Sequence, residues 1–200
     1  MASINYALKE ISCKIVYYGP GMCGKTTNLQ YIHQHTAADK RGNMVSLATP
    51  GERTLFFDFL PLEAATIHGF RTKFQLYTVP GQVMYNSTRK LVLRGVDGII
   101  FVCDSQWEKL RENLESFRNL EDNLATYGYS LETTPYVVQY NKRDLPNIAP
   151  VEYLQFLINP RQVPSLEAVA IAGKGVFEAL GEVCGRVLAN LAEKQKVGVI

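Results

Sequence analysis

The sequence predicts a single α/β domain with a mostly parallel sheet and helices on both faces. Short apolar runs alternate with amphipathic stretches along the chain, a pattern typical of strands that are each followed by a helix. One run, Gly98–Asp104, is apolar up to its last residue, as expected of a central parallel strand. No internal repeat, low-complexity segment or linker interrupts residues 1–200, so we expect one domain.

In the N-terminal half, the unbroken apolar character of Cys13–Tyr18 predicts a buried strand. A glycine-rich turn follows it, and then a helix to about His35. Residues 37–54 are polar and contain Gly and Pro, which predicts a long mobile loop. Two segments of alternating polarity come next and predict strands, with a turn near Ile67–Gly69. The two strands are Leu55–Leu62 and Phe70–Val79.

The C-terminal half continues the alternation of strands and helices. After the central strand, Leu110–Tyr127 places large apolar residues at helical spacing, which predicts an amphipathic helix. The later elements are a strand at Thr134–Lys142 that runs into a loop, a short helix at Val151–Leu157, a last strand at Ser165–Ala172 and a closing amphipathic helix at Val176–Ala192.

The composition excludes several classes of protein. Hydrophobic residues make up 46% of the chain and charged residues 20%, as in ordinary globular domains, and a net charge of +2 gives no bulk attraction for nucleic acid. The 4 cysteines lack the spacing of a zinc site, and we expect them to be reduced. Because no signal peptide, apolar span or lipidation motif is seen, we expect a cytoplasmic protein without a direct membrane anchor.

Residues 19–26, GPGMCGKT, match the phosphate-binding pattern GxxxxGK[ST]. They follow a predicted buried strand and open a predicted helix, where backbone N–H groups and the helix N-terminus can bind phosphates. Lys25 can reach the β- and γ-phosphates of a nucleoside triphosphate, and the Thr26 hydroxyl can bind Mg²⁺. The alternative is an ordinary glycine-rich turn with an exposed lysine. The predicted binding residues are Gly19, Gly21, Met22, Cys23, Gly24, Lys25, Thr26 and Thr27.

A second motif, NKRD at residues 141–144, indicates that the base is guanine. The Asp144 carboxylate can accept hydrogen bonds from N1–H and the exocyclic amine of guanine, whereas adenine offers neither donor and would leave the carboxylate unpaired. Asn141 is expected to connect this base loop to the phosphate loop, and the stem of Lys142 to lie along the base. The motif alone is weak evidence, but its position after a predicted parallel strand makes it strong.

These two motifs, in this order and spacing, resemble those of the Ras-like small GTPases. Longer blocks of the chain are similar to the bacterial MglA family, polarity GTPases of gliding and twitching motility. The resemblance extends from about Ile4 to Leu191. The most specific blocks are LATPGERTLFFDFLPL, LYTVPGQVMYNSTRKLVLRGVDGIIFVCDS and QYNKRDLP.

The resemblance implies a fold, ligands and partners. The fold is a Ras-like P-loop G domain with a sheet of six to seven strands, and the ligands are GTP or GDP with Mg²⁺. The implied partners are an MglB-like homodimeric activating protein of the roadblock type and effectors of motility and polarity. We expect the chain alone to be a monomer, and its partners to recruit it to cell poles or the inner membrane face.

The resemblance also assigns roles to single residues. Thr54 matches the switch I threonine that senses the γ-phosphate and Mg²⁺, and Arg53 matches the family's intrinsic catalytic arginine. Gln82, after Gly81, matches the glutamine that orients the attacking water. Gly21 matches the phosphate-loop glycine at which a side chain would crowd these groups.

Two of these assignments have ordinary alternatives. Without the resemblance, Arg53 is most simply a solvated charge beside Glu52, and Gln82 beside a glycine is most simply part of a turn.

Two positions depart from the general pattern of small GTPases. Thr78 replaces the aspartate of the DxxG motif, which normally holds Mg²⁺ through a water, and this threonine is itself a mark of the MglA family. A neutral hydroxyl attracts a cation less than a carboxylate does, so we expect weak Mg²⁺ binding and slow unaided hydrolysis. The base-binding SAK motif corresponds to residues 169–171, where only the Ala170 backbone N–H is left to bind the guanine O6.

The sequence therefore favours a GTP-dependent switch that hydrolyses GTP slowly alone and faster with a partner. Two alternatives stay open. A guanine-nucleotide scaffold without turnover is compatible with Thr78. A P-loop kinase for a small metabolite would need a lid with several arginines and an acceptor pocket and leaves the NKRD motif unexplained, but equal affinity for ATP and GTP would favour it.

Partner contacts are expected close to the two switch segments. The aromatic-rich stretch Phe56–Phe59 is most simply part of the sheet core, but in a GTPase the strand after switch I is also an exposed edge that partners use. Tyr85, Arg89 and Leu93 are plausible interface positions on the same argument.

Overall fold

The computed structural model describes residues 3–49, 53–67, 69–82 and 85–196. Among these residues, eight strands form one sheet in the order β3-β4-β5-β2-β6-β7-β8, and β1 pairs with β2. The strands are β1 (Ser3–Asn5), β2 (Glu10–Tyr18), β3 (Val45–Thr49), β4 (Arg53–Ile67), β5 (Phe70–Thr78), β6 (Gly98–Asp104), β7 (Tyr136–Asn141) and β8 (Ser165–Glu167). The helices are α1 (Lys25–His35), α2 (Asn86–Leu93), α3 (Leu110–Ala125), α4 (Val151–Ile158) and α5 (Val176–Lys196).

The centre of the sheet is parallel. β2 pairs in parallel with both β5 and β6, and β7 pairs in parallel with both β6 and β8. β1, β3 and β4 pair antiparallel with their neighbours. Every residue of β6 is buried, which confirms the predicted central strand.

The two faces of the sheet are covered by different helices. Alternate side chains of β2 point to opposite faces, so Ile15 and Tyr17 pack with α1 and α5 while Val16 and Tyr18 pack with α2, α3 and α4. The fold therefore has a helical layer on each face of a mostly parallel sheet, as predicted, with one strand more than the expected six to seven.

The prediction of a loop at residues 37–54 was wrong in its central part. Val45–Thr49 forms β3, which pairs antiparallel with β4 and places Val45 opposite Phe59. The segment looks like a loop because it is short and mixed in polarity, and only the backbone partners supplied by the long β4 make it a strand. Residues 50–52 of the predicted loop lie outside the described part of the chain.

Other boundaries also differ from prediction. The last strand ends at Glu167, and Ala170–Ala172 form a short 3₁₀ turn instead of continuing it. The turn closes on Gly173, whose φ of 78° lies in the left-handed region. β1 and α2 were not predicted, since each is short and owes its conformation to contacts with the rest of the domain.

No helix in the described ranges combines the length and the apolar character needed to cross a bilayer.

The packing of α3 supplies a test of the fold. Leu120 is fully buried, so Leu120→Ala is expected to lower the free energy of unfolding by about 2–5 kcal/mol. Leu91→Ala in α2 is the matched control, because that side chain is 63% exposed and its loss should cost less than about 0.5 kcal/mol. Urea unfolding of the two variants measures both values, and equal losses would contradict this packing.

Candidate nucleotide-binding site

The predicted phosphate and base motifs meet at the carboxyl ends of the parallel strands. Residues 19–24 follow β2, and residues 142–144 follow β7. Ligands of open α/β sheets bind at this edge, because the loops there converge and helices begin there. The fold therefore brings together two motifs that are far apart in sequence.

The phosphate loop has the backbone geometry of an anion site. Gly19, Met22 and Gly24 have φ values of 148°, 62° and 101°, so the chain curls tightly before α1. No side chain caps the N-terminus of α1, and its first turn contains no acidic residue. The positive end of the helix dipole thus points into the loop without a neutralising carboxylate.

Two glycines of the site are required by close backbone approach. A Cβ on Gly24 would collide with the amide nitrogen of Asn141. A Cβ on Gly81 would collide with the backbone of Gly21, so the segment after β5 lies directly against the phosphate loop.

Lys25 is almost fully buried, and its ammonium group turns into the phosphate loop. Its Nζ donates to the backbone oxygens of Pro20 at 2.6 Å and Gly19 at 3.1 Å. Burial lowers the pKa of Lys25; the neighbouring Cys23 thiol opposes this shift, and the charge of Arg89 adds to it. The amine is thus already held where the phosphates of a P-loop ligand lie.

A buried carboxylate that the sequence analysis overlooked faces the start of α1. Asp58 of β4 is fully buried, and its Oδ2 accepts hydrogen bonds from the Thr26 hydroxyl at 2.6 Å and the Thr78 hydroxyl at 2.8 Å. The Asp58 N–H donates back to the Thr78 hydroxyl at 2.9 Å, and the Ser46 hydroxyl donates to Oδ1. Three hydroxyl groups therefore surround one carboxylate.

Asp58 changes the interpretation of Thr78. The sequence analysis expected a site without a carboxylate at this position, but β4 supplies one across the β4–β5 pairing. The negative charge of this region therefore lies on β4, where the Thr78 hydroxyl donates a hydrogen bond to Asp58. The only signal in the sequence was an aspartate inside the apolar run at residues 55–60, because a charge in a buried strand needs a partner.

The base loop is tied to the phosphate loop by Asn141. Its Nδ2 donates to the backbone oxygen of Cys23 at 2.8 Å, and its Oδ1 accepts from the Ala170 N–H at 2.9 Å. The predicted connection between the two loops is thus present in the structure. The Ala170 N–H is engaged with Asn141, a contact that the sequence did not reveal, and its bond to guanine O6 stays a prediction.

Lys142 and Asp144 complete the base loop. Lys142 has a left-handed backbone, with φ of 65°, and its Nζ forms an ion pair with the buried Asp104 at 2.7 Å. This pair fixes the direction of the lysine stem. Asp144 is exposed at the same loop, where a base can reach its carboxylate.

A buried amide pair underneath the two loops was also missed. Asn28 and Gln139 exchange hydrogen bonds at 2.9 Å and 3.0 Å. Asn28 also donates to the Gly24 oxygen, and Gln139 to the Gly175 oxygen. The pair connects the helix that follows the phosphate loop to the strand that precedes the base loop. Sequence spacing could not reveal it, since the two residues lie on separate elements.

The switch residues are described to different extents. The backbones of Arg53 and Thr54 pair with β3 at the start of β4, but their side chains lie outside the described part of the structure. Gln82 is partly exposed directly after Gly81, and its backbone oxygen accepts from the Tyr85 N–H at 3.1 Å.

The expected partner positions on α2 need correction. Arg89 and Leu93 are fully buried, so they cannot contact a partner in this conformation. Tyr85 keeps partial exposure.

No family model matches the chain. It is 58% identical over 191 residues to the mutual gliding-motility protein MglA of Myxococcus xanthus (strain DK1622), covering 96% of this chain and 98% of the relative. The chain belongs to the MglA family. It is also 26% identical over 188 residues to the Ypt/Rab-type GTPase ypt7 of Schizosaccharomyces pombe (strain 972 / ATCC 24843), covering 92% of this chain and 85% of that protein. The predicted family, the Ras-like fold and the class of enzyme, a small GTPase, are confirmed.

The described residues fit a guanine nucleotide with Mg²⁺. The phosphate loop offers a helix N-terminus and a buried lysine, and the base loop offers an exposed carboxylate. The Thr26 hydroxyl and the Asp58 carboxylate are hard oxygen groups of the kind that Mg²⁺ prefers. Within the described ranges, no three His, Cys, Asp or Glu residues gather in a metal-binding group. Among the described side chains, these two oxygen groups are the ones that would support a metal here, together with the phosphates.

The link between the loops is testable with Asn141→Ala. This change leaves a buried carbonyl and a buried N–H without their partner, which costs about 1–3 kcal/mol and should weaken GDP binding roughly 5- to 150-fold. Asn190→Ala is the matched control, because that amide bonds only to an exposed backbone oxygen of Thr133. Titration with a fluorescent GDP analogue measures both affinities, and unchanged binding by Asn141→Ala would contradict the link.

Proposed function

We propose that this MglA-family protein is a GTP-dependent molecular switch that hydrolyses GTP to GDP and phosphate, slowly alone and faster with an activating partner. The observation that carries the proposal is the direct bond from Asn141 of the base loop to Cys23 of the phosphate loop. This bond makes base recognition and phosphate binding parts of one rigid site, as a guanine-specific nucleotide site requires.

The chain's own residues divide the work of catalysis between them. The Lys25 ammonium and the N-terminus of α1 stabilise the charge that develops on the phosphates. Gln82 orients the attacking water. Arg53 stabilises the transferred phosphoryl group when switch I brings the arginine side chain next to the phosphates. A Cβ on Gly81 would collide with the backbone of Gly21, so only glycine fits at position 81. Gly21 is proposed to leave room for the catalytic groups. When bound, Mg²⁺ would neutralise part of the charge that develops on the phosphates.

Thr26 and Thr54 would hold the metal, and Asp58 would supply the nearby carboxylate. Asp58 accepts from Thr26 at 2.6 Å, so its charge lies within reach of any cation at that hydroxyl. Carboxylates that support a metal-binding group orient it and raise its basicity. This arrangement gives the site the negative charge that Thr78 lacks.

The switch itself consists of the segments around Thr54 and Gln82. A γ-phosphate would order them through contacts that GDP cannot make, and the changed surface is what partners recognise. The proposed partners are a homodimeric roadblock-type activating protein and effectors of motility or polarity. The support is the 58% identity to the mutual gliding-motility protein MglA of Myxococcus xanthus. Recruitment to cell poles or the membrane would then occur through these partners.

Single-turnover GTP hydrolysis tests the proposal. Slow hydrolysis by the protein alone, acceleration by a roadblock-type partner, and a loss of at least roughly tenfold in both Gln82→Leu and Arg53→Ala are expected, because each change removes transition-state stabilisation. Arg94→Ala is the matched control for Arg53→Ala, since Arg94 is an exposed arginine outside both motifs.

The other outcomes identify the alternatives. Tight GDP and GTP binding without phosphate release in any condition would favour a guanine-nucleotide scaffold. Equal competition by ATP and GTP would contradict guanine recognition by Asp144 and favour a kinase.

A further inference from the structure

Arg89 is the largest fully buried side chain of the described residues, and the proposed function gives it no role. It lies on α2, one helical turn beyond Tyr85. Its guanidinium sits 4.6 Å from the centroid of the Tyr18 ring. Burying a cation is costly unless its N–H groups are bonded, so its contacts indicate what it is for.

Among the described residues, the hydrogen bonds of Arg89 all go to neutral acceptors. Nε donates to the Pro80 oxygen at 3.0 Å, and Nη2 donates to the Gly19 oxygen at 3.0 Å. Nη2 also donates to Ser116 at 2.9 Å, and Nη1 donates to Asn119 at 2.6 Å. Within the described ranges, no carboxylate forms an ion pair with it. We name Arg89, Tyr18, Ser116 and Asn119 the Arg89 cluster.

The two backbone oxygens belong to the two halves of the catalytic site. Gly19 begins the phosphate loop, and Pro80 precedes Gly81 and Gln82. One planar guanidinium holds both oxygens at once, which fixes the start of switch II relative to the phosphate loop. Only arginine has several donors in a rigid fork of this kind.

The residue that follows the Gln82 segment is also bonded to α3, the helix that carries Ser116 and Asn119. The Asn86 side chain, at the start of α2, accepts from Asn119 at 3.0 Å and from Asn123 at 2.8 Å. In sequence, Gln82 therefore lies between two residues, Pro80 and Asn86, that are both connected to α3. Its placement depends on both connections.

The two oxygens do not depend equally on Arg89. The Gly19 oxygen also accepts from Lys25 at 3.1 Å, whereas Arg89 is the donor that holds the Pro80 oxygen. Loss of the guanidinium should thus release the Gln82 segment while leaving the phosphate loop largely in place.

We propose that Arg89 is a positioning residue that sets Gln82 for hydrolysis by fixing Pro80 against Gly19. The proposal rests on the proposed function, in which Gln82 orients the water. Loss of Arg89 should therefore lower the rate constant of hydrolysis and leave nucleotide affinity unchanged. This loss should depend on the presence of Gln82.

A double-mutant cycle with Arg89→Lys and Gln82→Leu tests the proposal. The lysine keeps the charge but cannot hold both oxygens in a fork, so the single-turnover rate constant should fall by roughly tenfold. GDP dissociation should change by less than about threefold, because Lys25 still holds Gly19. In the Gln82→Leu background, Arg89→Lys should lower the rate constant by less than about twofold, since coupled residues are not additive.

Lys90→Met is the matched control, a cation on the next position of the same helix, and it should leave both measurements unchanged. Urea unfolding of the GDP-bound variants checks that Arg89→Lys is folded. If it is not, Ser116→Ala serves instead, because it keeps the charge of the guanidinium but removes the bond that holds Nη2 in line with the Gly19 oxygen, which loosens the fork. A loss of about threefold that disappears with Gln82→Leu is then expected.

Three results would overturn the proposal. The first is a normal rate in Arg89→Lys, or in Ser116→Ala if that variant is used. The second is an equal loss with and without Gln82. The third is accelerated GDP release that accounts for the lost activity. If Gln82→Leu keeps the normal rate constant of hydrolysis, the proposed role of Gln82 fails together with this inference. If Gln82→Leu is slow but Arg89→Lys hydrolyses GTP at the normal rate, only this inference is overturned.

Discussion

The carboxylate of Asp58 is fully buried, and the hydroxyl groups of Thr26, Thr78 and Ser46 solvate it in place of water. Thr26 lies at the start of α1, Thr78 at the end of β5 and Ser46 in β3. The charge of Asp58 therefore connects the helix that follows the phosphate loop to β3 and β5, the two strands on either side of β4. A buried carboxylate that lost these donors would be strongly destabilising. The pairing of β3, β4 and β5 around the site is therefore linked to the hydrogen bond that Thr26 donates to Asp58.

The rest of the site follows from this arrangement and from the sheet. Parallel strands β2, β6 and β7 end at one edge, where Asn141 bonds to the phosphate loop and Lys142 pairs with Asp104. On the other side, Gly81 lies against Gly21 because no side chain intervenes. The Lys25 ammonium, the Thr26 hydroxyl and the buried Asp58 carboxylate thus lie at or next to the phosphate loop, where phosphates and a divalent cation would balance each other's charge.

The sequence predicted the parts of the site that are local. The phosphate loop and the base loop are continuous motifs whose chemistry depends on adjacent residues, and the structure brings them together as expected. Asp58, Arg89 and the Asn28–Gln139 pair were missed because their partners lie on other elements, and the distances between elements are set by tertiary packing. Arg89 was predicted to be an interface position because buried arginines without a carboxylate are uncommon. β3 was taken for a loop because pairing with β4 overrides its weak local pattern.

The central claim is that Asp58 provides the negative charge which the Thr78 position lacks. The most direct test is the rate of GDP release with Mg²⁺ and after its removal by EDTA, in wild type, Asp58→Asn and the exchange variant Asp58→Thr with Thr78→Asp. The account predicts that Asp58→Asn loses most of the response to Mg²⁺, with metal affinity falling roughly 10- to 100-fold. The exchange variant should recover the response to Mg²⁺, because its carboxylate lies at position 78 on β5, next to position 58 on β4. A normal Mg²⁺ response in Asp58→Asn would contradict the account.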